Sequence, residues 1–212
     1  ESIKKYFFND NFYNQIIKKN NDPRIKREFK KIKKYQKMIK FVYQDKPKGT
    51  GDAVLKCNKY ITGKYFIMLL PDDLIIKKNC TKEMLKLFNK KNSSIIATKI
   101  VKKNTVSRWG ILSPTNRQKN HFRIIDVVEK PSIKSAPSNY AIIGRYILPT
   151  KIMKEIKRLK PGAGKEIHIT DAIKNLIKKN EKFYANIFKG KYLDCGTLDG
   201  YISSGLEIGK NR

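Results

Sequence analysis

The chain is poor in the residues that staple or metallate small folds. Its 212 residues include three cysteines and two histidines. Cys57, Cys80 and Cys195 lie far apart, with no CxxC or Cys/His ligand spacing. That excludes a disulfide framework, argues against zinc, and suits reduced thiols in a cytoplasmic setting. No run of 18 or more apolar residues occurs, so the reading is of a chain that does not span a membrane. The first residues, ESIKKYFFND, carry neither an initiator Met nor a signal-peptide core. Neither a Ser/His/Asp order nor a paired-carboxylate glycosidase pattern emerges, and no internal repeat or low-complexity linker breaks the chain. With 40% hydrophobic and 10% aromatic residues it has the composition of a globular domain.

Acidic residues are also scarce: 18 against 48 basic ones, a net charge of +30. Such a balance invites a nucleic-acid reading. Two features argue against that as the main function. Only 8 of the 48 basic residues are Arg, whereas phosphate and base readout favours the Arg fork. The lysines are also spread over the whole chain. In the densest stretch, IKREFKKIKKYQKMIK (25–40), Ile25, Phe29, Ile32, Tyr35 and Ile39 form a helical stripe with lysines opposite, the pattern of a solvated helix. Non-specific, salt-sensitive RNA binding is the expectation.

The pattern predicts helices over 1–8, 11–19 and 24–37, the third opened by Asp22-Pro23. A strand at 38–44 leads through the turn DKPKGTGD into a helix ending near 61. KYFIMLL (64–70) reads as a strand buried on both faces, ending at Pro71-Asp72-Asp73. A helix over 79–90 precedes the strand-like 93–100. A β-rich middle follows (109–113, 122–130, 140–148), then helices over 150–159 and 168–180, a strand at 182–188, a turn over 190–196 and a helix over 198–209. The alternation predicts an α/β fold with a mixed, mostly parallel sheet, residues 1–212 forming one domain.

Several short stretches could carry chemistry. Asp72 follows an apolar strand, where ligands collect in open α/β sheets, and a carboxylate there can hold Mg²⁺ beside substrate phosphates; Asp72 or Asp73 could equally cap the following turn. VVEKP (127–131) sets Glu129 and Lys130 at a strand end before a Pro that forces a turn, suiting hydroxyl and phosphate contacts or simply an exposed turn. KGKYLDCG (189–196) offers a second carboxylate, Asp194, before a Gly turn. Gly49 and Gly51 stand beside Lys46 and Lys48, where a strand-to-helix turn and a backbone close to a nucleotide both call for Gly. His121 and His168 have no partners at ligand spacing and read as surface or helix-end residues. Acids for metal, lysines for phosphate and glycines for close approach suit phosphoryl or nucleotidyl transfer.

In order, QDKPKGTGDAVL, LLPDD, WGIL, VVEKP, PSNYAIIGRYIL, PGAGKEIHITDAI and KGKYLDCGTLDGY resemble the bacterial UTP–glucose-1-phosphate uridylyltransferases (UDP-glucose pyrophosphorylases). The resemblance implies a Rossmann-like nucleotide-diphospho-sugar transferase fold that joins UTP to glucose 1-phosphate. By position it assigns Gln44 to the uracil, the backbone at Gly49 and Gly51 to the nucleotide, Asp72 and Asp194 to Mg²⁺, Glu129, Gly110 and Gly144 to the sugar, and Lys130 to the sugar phosphate. Trp109 stands where the family usually has Tyr. The family's opening strand and GxGTRxLP loop have no counterpart here, so the expectation is an N-terminally truncated fragment, weakly active or inactive alone. Homo-oligomers are common in the family. Two alternatives remain: a related enzyme for another nucleotide or sugar, and a non-catalytic basic remnant that binds RNA.

Overall fold

The computed structural model describes residues 2–19, 22–115 and 120–210. They cluster into two compact units, 1–43 and 44–212, where the sequence reading takes one domain.

The first unit is helical: α1 (Ser2–Phe8), α2 (Asp10–Lys19) and α3 (Pro23–Gln36). The Asp22 carboxylate accepts the Arg24 N–H at 2.8 Å and Pro23 fills the first turn, the start signal expected of an N-cap followed by Pro. Along α3, Ile32 is buried and Ile25 and Phe29 are half-buried, while Tyr35 is exposed. The lysines opposite face solvent, as the stripe predicts. The Gln36 side chain donates to the Phe7 carbonyl. The strand expected over 38–44 does not form: a turn follows α3, and no described strand pairs with 39–44. An extended run without a ladder partner is not a strand, whatever its propensity.

In the second unit, α4 (Thr50–Lys56) and a 3₁₀ turn at Asn58–Tyr60 precede β1 (Tyr65–Leu69), β2 (Asp73–Ile76), α5 (Cys80–Lys91) and β3 (Ser94–Ile100). Then come β4 (Gly110–Pro114), β5 (His121–Glu129), β6 (Tyr140–Pro149), α6 (Ile152–Arg158), α7 (Ile169–Lys178), β7 (Phe183–Ile187), β8 (Lys191–Asp194) and α8 (Leu198–Gly209). Six strands form one sheet in the order β1-β6-β3-β7-β5-β4, and a further pairing of β4 with β6 at Ile111 and Ala141 closes five of them into a ring. β2 and β8 form a separate two-stranded ribbon.

The sheet is mixed, as expected, but not mostly parallel: β3 with β7 is the parallel pair, and the others are antiparallel. The β-rich middle is the cause: β5 returns against β4 as a hairpin, and β6 runs antiparallel to β1, β3 and β4. β6 is the spine, buried at nearly every position. One face of the sheet packs on α6 and α7 through Leu148, Ile152, Ile156, Ile173 and Phe183. The other packs on α5 through Met84, Leu87, Ile95 and Ile147. β1 is an edge strand rather than one buried on both faces: among the described residues it pairs with β6 alone, leaving Ile67 and Leu69 exposed.

Candidate active site

The carboxyl end of β1 does not simply stop. Leu70 N–H bonds the Gly144 carbonyl at 2.7 Å, Pro71 and Asp72 turn the chain, and β2 starts at Asp73. The stretch 190–196, expected as a turn, is largely strand, because β8 pairs antiparallel with β2 and sets Asp73 opposite Asp194. The two acidic stretches predicted separately therefore meet on one ribbon. Cys195 N–H donates to the Asp72 carbonyl at 2.8 Å and Gly196 N–H to Asp194 Oδ1 at 3.0 Å.

Gly196 shows how close the carboxylates come. A Cβ there would lie 2.9 Å from Asp72 Oδ2 and 3.3 Å from Asp194 Oδ1, so both acids converge on a space that Gly keeps clear. Two hard oxygen donors beside an open cleft fit a small dication that takes its remaining ligands from phosphate and water. Among the described residues no group of three or more His, Cys, Asp or Glu forms a closed metal cage. Arg108 Nη2 stands 3.5 Å from Asp194 Oδ2.

The opposite wall belongs to the ring. Gly110 and Glu129 are register partners of β4 and β5. A Cβ on Gly110 would meet Glu129 Oε2 at 3.1 Å and Ile142 Cδ1 at 3.0 Å, so this Gly lets the Glu129 side chain fold over it. Thr170, in the first turn of α7, donates its hydroxyl to Glu129 Oε2 at 2.8 Å. Lys130 sits at φ +45° with its N–H on the Trp109 carbonyl at 3.0 Å. A non-Gly residue in the left-handed region is held there by its surroundings. Here the hydrogen bond to Trp109 and the buried Pro131 hold it. The start of α7 enters the same space: Thr50 Oγ1 accepts the Ile169 N–H at 3.2 Å, and a helix N-terminus favours anions.

These walls enclose a cleft of about 330 Å³, within the usual range for small-molecule sites. Of the residues expected from sequence, Asp72, Asp194, Glu129, Lys130, Gly110 and Gly144 line it; Gln44, Gly49 and Gly51 do not. The glycine pair has another reason to be there. Gly49 has φ +98°, and a Cβ on it would lie 2.6 Å from the Ile167 carbonyl oxygen. Gly51 N–H and Lys48 C=O both bond Ile167, at 2.8 Å each. The glycines thus zip the 48–51 turn onto the backbone of 166–167 and present Thr50 to the cleft. Gln44 Nε2 donates to Asp52 Oδ2 at 2.6 Å and to the Gly49 carbonyl at 3.3 Å, bracing that turn. Gly144 likewise has a local reason: a Cβ there would collide with Leu70 and the Asp73 carboxylate.

Sequence reasoning passed over several residues. Arg108, outside the motifs quoted, and Thr170 and Tyr192, inside them but not singled out, all line the cleft. His168, read as a surface or helix-end residue, is indeed at the start of α7, but it is buried and also lines the cleft. Asp73 looked like a turn cap; it is 8% exposed, with Tyr192 Oη donating to Oδ1 and Gly144 N–H to Oδ2 at 2.6 Å. Burial pushes its carboxyl above the usual range, against the pull of those two bonds. Lys99 Nζ lies 3.7 Å over the Tyr192 ring, and burial holds its ammonium below the usual lysine range.

The chain is similar to known proteins. A family model described as nucleotidyl transferase matches residues 5–211. A Streptococcus pyogenes UTP–glucose-1-phosphate uridylyltransferase is 35% identical over 175 residues, 80% of this chain and 57% of that protein. Two solved structures are similar: a UDP-glucose pyrophosphorylase complexed with UDP-glucose, at 38% identity with TM-score 0.78, covering 82% of this chain and 66% of that one; and an apo UDP-glucose pyrophosphorylase, at 34% identity with TM-score 0.86, covering 100% and 78%. The chain spans 57% to 61% of the length of the curated relatives it matches.

Proposed function

The chain belongs to the nucleotidyl transferase family, and from that premise we propose that its cleft serves uridylyl transfer: UTP and glucose 1-phosphate give UDP-glucose and pyrophosphate. The observation that carries this reading is the joint presence, on two walls of one cleft, of a converging carboxylate pair and a Glu–Lys pair at a strand end. The names of the relatives supply the substrates.

In this reading a phosphate oxygen of glucose 1-phosphate attacks the α-phosphorus of UTP in line. The new P–O bond forms as the bond to the bridging oxygen breaks, and the electron pair leaves with pyrophosphate. The attacking oxygen is already ionised, so no side chain need act as nucleophile or base. Lys130 and Arg108 offset the charge of the converging phosphates, aided by the start of α7. Glu129, its Oε2 already bonded to Thr170, offers Oε1 to sugar hydroxyls. Asp72 and Asp194 would hold Mg²⁺, which when bound would neutralise phosphate charge. The nucleotide lies by Thr50, on the turn that Gln44, Gly49 and Gly51 brace.

Calorimetric titration of the protein with UDP-glucose in Mg²⁺, beside ADP-glucose, dTDP-glucose and UDP-galactose, tests the substrate assignment. UDP-glucose should bind at least about tenfold tighter than the others, the discrimination a few specific polar contacts supply. Preference for another nucleotide sugar would keep the site and replace the substrate. Binding of none of them, with retention of RNA at low salt, would favour the basic remnant.

A further inference from the structure

The ribbon that carries Asp72 and Asp194 is not part of the main sheet. Each strand is four residues long, and a lone two-stranded ribbon is marginal in water. Something must hold it against β6 in one register, since carboxylates placed loosely bind a dication poorly.

Bonds between the ribbon and β6 gather on one residue. Asp73 Oδ2 accepts Gly144 N–H at 2.6 Å, and the Asp73 carbonyl accepts from Arg145 Nη2 at 2.7 Å. The registered pairs of β1 with β6 run to Leu69 and Arg145; one residue on, the Gly144 carbonyl still takes the Leu70 N–H, but for the Gly144 N–H the Asp73 carboxylate serves as acceptor in place of a strand carbonyl. Gly at 144 is what lets it approach, because a Cβ would collide with that same carboxylate. On its other side Oδ1 accepts the Tyr192 hydroxyl, which reaches across from β8. The Tyr192 ring is in turn fixed by Lys99 at 3.7 Å and edge-on by Trp109 at 5.9 Å. The backbone of Asp73 pairs with Asp194, and Asp72 is its chain neighbour.

We propose that Asp73 is a positioning residue: its buried carboxylate, gripped by Gly144 and Tyr192, clamps the β2–β8 ribbon to β6 and so sets the spacing of Asp72 and Asp194. This rests on the reading of Asp72 and Asp194 as the metal pair. Asp73 itself is not placed on the metal: it is buried and its two oxygens face Gly144 and Tyr192, whereas Asp72 and Asp194 converge beside Gly196. A carboxamide can keep both bonds, accepting from Gly144 through Oδ1 and donating to the Tyr192 oxygen through Nδ2. The clamp therefore depends on hydrogen-bond geometry and tolerates Asn.

The test is Mn²⁺ binding to the protein, read by the loss of the free-ion EPR signal, with thermal melting on the same samples. Asp73→Ala should weaken Mn²⁺ binding about tenfold or more, in the range found for residues that orient metal ligands. Tyr192→Phe should weaken it by a smaller factor, and Asp73→Asn should stay near wild type. Ile75→Ala, which thins the packing of β2 on the α5 layer, should lower the melting temperature and leave Mn²⁺ affinity unchanged. If Asp73→Ala does not fold, Tyr192→Phe carries the test. Wild-type affinity in Tyr192→Phe and Asp73→Ala would overturn the clamp, as would equal loss in Ile75→Ala at matched melting temperature. Absence of Mn²⁺ binding in the wild type, matching Asp72→Asn, would sink the metal pair itself and the clamp with it.

Discussion

The two walls of the cleft are built on different foundations. The wall of Gly110, Glu129 and Lys130 grows out of β4 and β5, whose Ile111, Leu112 and Val127 are at most 1% exposed in the core. The wall of Asp72 and Asp194 rides on a short ribbon outside that ring. Side chains on the first inherit their positions from a packed core, which yields little to a single change. Those on the second depend on a few hydrogen bonds. Binding of the sugar phosphate should therefore be a local property, and metal binding a cooperative one.

The sharpest break in that comparison is Asp72→Asn, which removes a charge from the ribbon wall. Pyrophosphate release should fall by at least about a hundredfold, the scale of losing one preorganised electrostatic group, with the melting temperature little changed. Next is Glu129→Gln on the ring wall. Loss of a charged hydrogen bond costs about 1.5–3 kcal/mol, so the KM for glucose 1-phosphate should rise by about ten- to a hundredfold, with that for UTP unmoved. A smaller effect separates the walls by their glycines. Gly196→Ala should raise the Mg²⁺ concentration needed for half-maximal rate, and Gly110→Ala the KM for the sugar phosphate, each by several-fold and neither by both routes; a few tenths of an ångström of displaced carboxylate is enough. If each Ala moved both parameters alike, the walls would not be independent. Smallest of all is a reactivity difference: burial and nearby Glu83 push the Cys80 thiol up to about 12, so thiol reagents should label it more slowly than half-buried Cys195.

Much of the ring wall was legible in the sequence, because β5 and β6 announce themselves by long β-branched runs and VVEKP ends in a Pro that fixes where the strand stops. Helices α3, α5, α6 and α7 were legible for the same reason of period. The ribbon was not. Its strands are four residues each, shorter than any alternation can declare, and their pairing joins residues more than a hundred positions apart. Hence the residues alone showed Asp194 as an acid before a Gly turn, the resemblance supplying its pairing with Asp72, and Asp73 passed for a cap. The parallel bias was misjudged because alternation of helix and strand says nothing about which strands share edges. Gly49 and Gly51 were legible as a place of close approach, but a glycine does not say to what, and the backbone at Ile167 is a neighbour that only the fold reveals.

The central claim is uridylyl transfer in this cleft, and pyrophosphate release from UTP and glucose 1-phosphate in Mg²⁺ tests it most directly, with Asp72→Asn defining the background. The account predicts release above that background for this pair, and less when ATP, dTTP or another sugar phosphate is substituted. Release no greater than in Asp72→Asn for every pair, from a protein with a cooperative melting transition, would contradict it.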